Sequence, residues 1–233
     1  MCNASAIRLS FSAAVEGSGV KMDNRSVEAI TLRKQATNQQ GKMRIVCTSD
    51  THSGVEDNPQ SFTIPDGDVL IHAGDFTNYG EVDKVKNFNS WLGTLPHAVK
   101  LVVAGNRDIT FDPSVVGPNN KNWEKFQHPD MKEVKSYLTN CIYLEDTSVI
   151  INGFKFHGTP WTPIKAHKSI SHAAFQIPRS DVSRWEQVCS NIPSDTDILI
   201  SHCPPYGILV INKINHSTYL KLMSTCTFSG CQY

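Results

Sequence analysis

The chain has 233 residues with 22 Lys plus Arg against 22 Asp plus Glu, so its formal net charge is zero. That balance provides no basic field to draw in nucleic acid or an anionic membrane surface, and no apolar run is long enough to cross a bilayer. Length predicts one domain with tails, and a hydrophobic fraction of 39% fits a chain that carries polar extensions. The seven cysteines are scattered, with no CxxC pair and no disulfide-like spacing, which points to reduced thiols and a cytoplasmic setting.

Residues 1–42 are rich in Ser, Ala, Asn and Gln and hold no sustained period. They are expected to be a disordered tail, with a short helix over 27–36 the one candidate element. The apolar patch at 11–15 is too short and too polar for a secretory segment, so the Asn-x-Ser matches at Asn3, Asn24 and Asn215 read as chance.

The folded domain is placed at 43–210. Four short, β-branched, nearly continuous apolar runs lie in it, at 44–48, 68–73, 99–104 and 196–200. Such runs predict strands buried on both faces. Each leads directly into polar residues: Asp50 and His52, then Asp75, then Asn106, Arg107 and Asp108, then His202. Ligands of α/β sheets bind beyond the carboxyl ends of the strands, so four such ends predict one polar site at one sheet edge.

Between the second and third runs, Val82, Val85, Phe88 and Leu92 recur at helical spacing, with Gly93 as the expected stop. Residues 111–129 read as an irregular loop over the site, and 130–138 as a helix. Runs 147–151 and 154–157 flank Asn152-Gly153, the favoured type I′ hairpin turn. Residues 181–188 read as a capped helix. The change from βαβ alternation to hairpins suggests a second sheet packed on the first. Residues 211–233 form a divergent tail.

Two divalent metals held close together need a bridging carboxylate flanked by oxygen and nitrogen ligands. Asp75 is the best bridge, since Gly74 lets the backbone come close. Asp50 and His52, two apart in an extended segment, would point to one side and hold the first metal. Asn106 and His202 would hold the second. Mixed Asp, Asn and His ligands suit Mn, Fe or Zn.

At Asp50-Thr51-His52, Gly74-Asp75, Gly105-Asn106 and Ser201-His202 the chain resembles the calcineurin-like metallophosphoesterases, whose motifs run D-x-H, G-D, G-N-H-D/E, G-H and G-H-x-H. The segments 88–96, 159–163 and 202–207 are similar to those of the metallophosphoesterase-domain-containing branch of animals. The resemblance implies an α/β fold of two mixed β-sheets packed as a sandwich with flanking helices. It also implies two metal ions, a hydroxide nucleophile, and a small phosphodiester or nucleotide substrate such as a cyclic nucleotide. No nucleic-acid or membrane partner is implied, and oligomeric state is left open.

Two departures bear on activity. Arg107 stands where the family has histidine; a guanidinium is a poor proton donor but can clamp a phosphate oxygen. Asp108 is expected to orient it. No G-H-x-H follows His202, so two family ligands are missing and the domain reads as C-terminally truncated, with impaired activity expected. The alternative is an inactive relative that binds nucleotide or protein. His72 is expected to be a core or supporting histidine, and His157, His167 and His172 not to be ligands.

Overall fold

The computed structural model describes residues 7–12, 28–30, 42–57, 63–115, 131–164 and 173–203. The first sheet has five strands in the order β1-β3-β4-β5-β6. These are β1 (Ile7–Ser12), β3 (Lys42–Thr48), β4 (Val69–His72), β5 (Val99–Val102) and β6 (Ile142–Tyr143). β3 to β6 run parallel, and β1 pairs antiparallel with β3. The second sheet has four strands, ordered β11-β8-β7-β2. They are β2 (Glu28–Ile30), β7 (Thr147–Ile151), β8 (Phe154–Thr159) and β11 (Ile198–Ser201). A two-stranded ladder joins β9 (Thr162–Pro163) to β10 (Gln176–Ile177). Among the described residues four α-helices, α1 (Gly54–Asp57), α2 (Val82–Thr94), α3 (Met131–Ser136) and α4 (Val182–Ser190), and a 3-10 turn at Ile109–Phe111 complete the order. Both sheets mix parallel and antiparallel pairs, as expected.

Three of the apolar runs are continuous because β3, β4 and β5 each serve two cores. The fourth, β11, is not buried on both faces as expected, since Ile198 and Ile200 enter the inter-sheet core while Leu199 on the other face is half-buried. Side chains alternate across a strand, so one set faces the second sheet and the other faces helices. Ile45, Cys47, Ile71, Leu101 and Val103 meet Val149, Ile151, Phe156, Ile198 and Ile200 between the sheets. Val46, Leu70, Val102 and Ala104 pack on the opposite side against Val85, Phe88, Trp91 and Leu92 of α2 and against Val134 of α3. Fully burying such a side chain contributes roughly 1.5–3 kcal/mol, so β3, β4 and β5 are held from both faces. The hairpin turn forms as its residues demand, with Asn152 and Gly153 both at positive φ (50° and 85°).

Several expectations need correction. Within the expected disordered stretch 1–42, residues 7–12 and 28–30 are strands at the edges of the two sheets, and β2 replaces the start of the expected helix. The alternation of Ile7, Leu9 and Phe11 with Arg8, Ser10 and Ser12 is the overlooked strand signal. Gly93 does not end α2, which runs on to Thr94. A Cβ there would come within 2.9 Å of Asn140 Nδ2, so close approach to that loop is what calls for glycine. The loop 116–130, His167, His172 and the tail 211–233 lie outside the described residues, as does His216, the last histidine of the sequence. Among the described residues no helix is long and apolar enough to cross a membrane.

Two buried histidines make cross-links, His97 between the loops before β5 and β4 and His157 between the paired strands β8 and β7. His97 Nε2 lies 3.0 Å from the Pro65 carbonyl, and His157 Nδ1 lies 2.8 Å from Ser148 Oγ. Burial pushes the pKa of both rings below the usual histidine value. In the unfolded chain they take up protons near pH ~6.5, whereas the folded chain resists until lower pH. Stability therefore falls as pH drops through that unfolded value. Urea denaturation at pH 7.5 and 5.5 should give the lower midpoint at 5.5. The gap should narrow in a His97→Gln/His157→Gln double variant.

Candidate metal centre

The loops after β3 and β4 continue their pairing beyond the strands. Ala73 N donates to the Thr48 carbonyl (2.8 Å), Asp50 N to Gly74 (2.9 Å), His52 N to Asp75 (3.0 Å) and Ser53 N to Phe76 (3.0 Å). This pairing holds the backbone in a conformation that is unfavourable by itself. Asp50, His52, Ser53 and Asp75 all have positive φ, between 45° and 61°. Such residues cost on the order of 1–3 kcal/mol each and persist where surrounding bonds over-determine them. Asp50 and His52 therefore do not lie two apart in an extended segment. A left-handed turn, closed by Gly54 N to the Thr51 carbonyl (2.7 Å), brings their side chains together instead.

The result is a convergence of lone pairs. His52 Nε2 lies 3.7 Å from Asp50 Oδ1 and 3.8 Å from Asp75 Oδ2. These gaps are too long for hydrogen bonds. They fall below the roughly 4.4 Å that can separate two ligands each about 2.0–2.2 Å from one ion. The three ligand atoms lie within 4.8 Å of one another, and His52 Nδ1 is buried without a hydrogen-bond partner. Asp50, His52 and Asp75 thus fit a divalent metal.

Asn106 and His202 arrive on the far side of Asp75. His202 Nδ1 lies 2.8 Å from the Ala73 carbonyl, which can only accept, so Nδ1 carries a proton and Nε2 is the nitrogen turned towards Asp75. That Nε2 is 3.4 Å from Asp75 Oδ1 and 3.3 Å from Asn106 Oδ1. Nδ1–H donation to a carbonyl is how metal-ligating histidines are usually held. Space for this ring comes from two glycines. A Cβ on Gly74 would lie 2.7 Å from His202 Nδ1. One on Gly105 would lie 2.7 Å from His202 Cε1 and would collide with Asp75.

Arg107 donates its backbone N–H to Asp75 Oδ1 at 2.7 Å. Its half-buried side chain passes over Tyr79, with the guanidinium carbon 5.7 Å from the ring centroid. Asp108 does not orient it. Fully buried, the Asp108 carboxylate accepts from Asp75 N (2.9 Å) and Gly105 N (2.8 Å) on Oδ2, and from Thr77 N (2.9 Å) and Thr77 Oγ (2.8 Å) on Oδ1. It knots the loops after β4 and β5 together, and sits too deep for the catalytic position expected from sequence. Burial, then the charge of Asp75, raises its pKa; the bonds from Gly105 and Thr77 oppose that rise.

His72 is fully buried beneath the ligands. It accepts from Gly74 N at Nδ1 (3.3 Å) and faces Thr51 Oγ1 through Nε2 (3.1 Å). Burial, with His202 and His52 nearby, lowers its pKa to about 3, so it stays neutral. Thr77 and Asp112 went unread in the sequence. Asp112 Oδ2 accepts from Phe175 N at 2.5 Å, and Ala174 N donates to the Asn106 carbonyl at 2.9 Å. The strap 173–177 thereby holds the Asn106 loop from outside. The Asp112-Pro113-Ser114 turn was a usable signal, since its aspartate accepts from Ser114 two residues on.

The family model described as calcineurin-like phosphoesterase matches residues 43–223. Metallophosphoesterase domain-containing protein 1 of Homo sapiens is 39% identical over 196 residues, 79% of this chain and 56% of that protein. A UPF0046 protein of Caenorhabditis elegans is 37% identical over 171 residues, 72% of this chain and 53% of its own length. The chain spans about half the length of these curated relatives. A crystal structure of TT1561 of Thermus thermophilus is 16% identical, with a TM-score of 0.45 over 74% of this chain and 72% of that one. The chain belongs to the calcineurin-like phosphoesterase family.

Asp108→Asn tests the knot. An amide keeps the shape but turns an NH2 towards donors, leaving buried N–H groups unpaired at about 1–3 kcal/mol each. We expect a loss on the order of 3 kcal/mol in urea unfolding without added metal. A loss below about 0.5 kcal/mol would show that Asp108 holds nothing together.

Proposed function

We propose that the chain is a metal-dependent phosphoesterase that hydrolyses phosphodiesters, with cyclic nucleotides among its candidate substrates. The observation that carries this reading is the convergence of Asp50, His52 and Asp75 at strand ends matched by the family. Asp75 has an oxygen facing each side, Oδ2 towards His52 and Oδ1 towards His202, which suits a bridge between two metals. Asn106 and His202 would complete the second set. When bound, Mn, Fe or Zn in such a pair polarises phosphoryl oxygens and lowers the pKa of coordinated water. The protein aims its ligand atoms: the Ala73 carbonyl faces His202 Nδ1, and Ser49 Oγ occupies Asp50 Oδ2 at 2.6 Å, leaving Oδ1 to face His52. Arg107 would clamp a phosphate oxygen.

The direct test is hydrolysis of bis-p-nitrophenyl phosphate with added Mn, beside Asp75→Asn. Wild type should turn over and bind metal, while Asp75→Asn should lose both metal-dependent turnover and affinity. Equal activity in the two would sink the dimetal reading.

Arg107 also favours a second reading, a nucleotide-binding module without turnover, because a guanidinium does not readily supply a proton to a leaving alkoxide. The two readings part on leaving-group dependence. General acid help is worth about 10²–10⁴-fold, and nitrophenolate needs none. Arg107→His should therefore raise the rate on a cyclic nucleotide by part of that factor and change the nitrophenyl ester little. Equal factors on both substrates would assign Arg107 to binding or folding. No hydrolysis of either substrate by either protein would favour the module.

A further inference from the structure

Arg107 is a cation whose backbone is pinned and whose guanidinium has no ion-pair partner among the described residues. The main chain is fixed by donation to Asp75 Oδ1 at 2.7 Å. Aspartates 50, 75 and 108 all lie on the same set of loops, yet among the described residues none forms an ion pair with the guanidinium. Its defined contact is the Tyr79 ring, at 5.7 Å from the centroid. That is inside the ~6 Å range of cation–π attraction. A guanidinium that meets a ring through its face keeps its five N–H donors, which lie in its plane, available to an anion.

Tyr79 is an unusual place to expose an aromatic ring. It is 47% exposed, one of two large hydrophobic residues so exposed among those described. Its backbone is nonetheless tightly held. Asn78 Nδ2 donates to the His52 carbonyl (3.1 Å), Tyr79 N to Glu81 Oε2 (3.1 Å), and Gly80 N to Thr77 Oγ1 (2.8 Å). Thr110 Oγ1 donates to the Gly80 carbonyl at 2.6 Å. Through Thr77 this loop is bonded to Asp108, and through Asn78 to the residue that presents the His52 ring. The ring thus rests on the same framework as the metal ligands.

We propose that Tyr79 is a positioning residue for Arg107, its ring holding the guanidinium face so that the free N–H donors take a phosphate oxygen beside the Asp50–His52–Asp75 group. The inference rests on the phosphoesterase reading above and deepens it. It ties the arginine to its tyrosine: a neutral imidazole at position 107 would gain no cation–π attraction from that ring.

A double-mutant cycle on the full chain tests it, with inorganic phosphate titrated by calorimetry in saturating Mn. Tyr79→Leu should weaken phosphate binding about two- to fivefold. Tyr79→Phe, which keeps the ring, should stay within about twofold of the parent. Tyr79→Leu added to Arg107→Ala should produce no further loss, and thermal melts should be unchanged, as a merely structural role would not predict. If Tyr79→Leu costs the same with and without Arg107, or costs nothing in the parent, the inference is overturned while the phosphoesterase reading stands. A parent that binds Mn but no phosphate overturns both.

Discussion

The geometry of the site depends on one buried carboxylate. Asp108 is fully buried, and a carboxylate in that position is tolerable only when donors surround it. It receives four, from Asp75, Thr77 twice and Gly105. These are the residues that must be brought together for Asp75 to face both His52 and His202. A charge that demands donors and loops that must converge satisfy each other. The left-handed backbone at Asp50, His52, Ser53 and Asp75 is held by the same logic, through the bonds that zip the β3 and β4 loops together. Strain in these loops is local, whereas the bonds that maintain it cross between them.

The second constraint is the seam between the sheets. Asp50, His52, Asp75 and Asn106 follow strands of the first sheet, but His202 follows β11 of the second. Its placement depends on how the sheets pack, hence on the core formed by Ile71, Leu101, Val103, Phe156 and Ile200. The Ala73 carbonyl is the polar end of that packing, since it receives the His202 proton. Gly74 and Gly105 are as necessary as any ligand, because a side chain on either would fill the space of the His202 ring. A change in the inter-sheet core would reach the site through this one ring.

Much of this was legible in the sequence, for identifiable reasons. Strands buried on both faces advertise themselves as unbroken apolar runs, and polar residues at their carboxyl ends mark the site edge. Asn152-Gly153 demands a hairpin wherever it occurs between strands. What could not be read was non-local or strained. Asp108 sits beside Arg107 in sequence, which suggested a local partnership, yet it accepts from residues 31 and 33 positions away. The spacing of Asp50 and His52 suggested an extended segment because left-handed backbone at non-glycine residues leaves no pattern. The strap at 173–177 is five residues long and has Phe175 at φ 54°, too short and irregular for any period. β1 was hidden by its setting, six alternating residues inside a stretch whose composition reads as disordered.

On the phosphoesterase reading proposed above, Arg107 would separate the binding of a phosphate from its cleavage. Every other group at the centre is an acceptor: two carboxylates, an amide oxygen and two imidazole lone pairs. Such a set attracts cations, and through them anions, but offers no proton to a departing oxygen. Histidine at position 107 could do both, since it can hold a charge and give a proton away near neutral pH. Arginine holds its charge permanently. Beside Tyr79, with the guanidinium carbon 5.7 Å from the ring centroid, that charge would favour arrival of an anion whatever the leaving group. On that phosphoesterase reading, the chemistry would be narrowed to esters whose alcohols leave unaided.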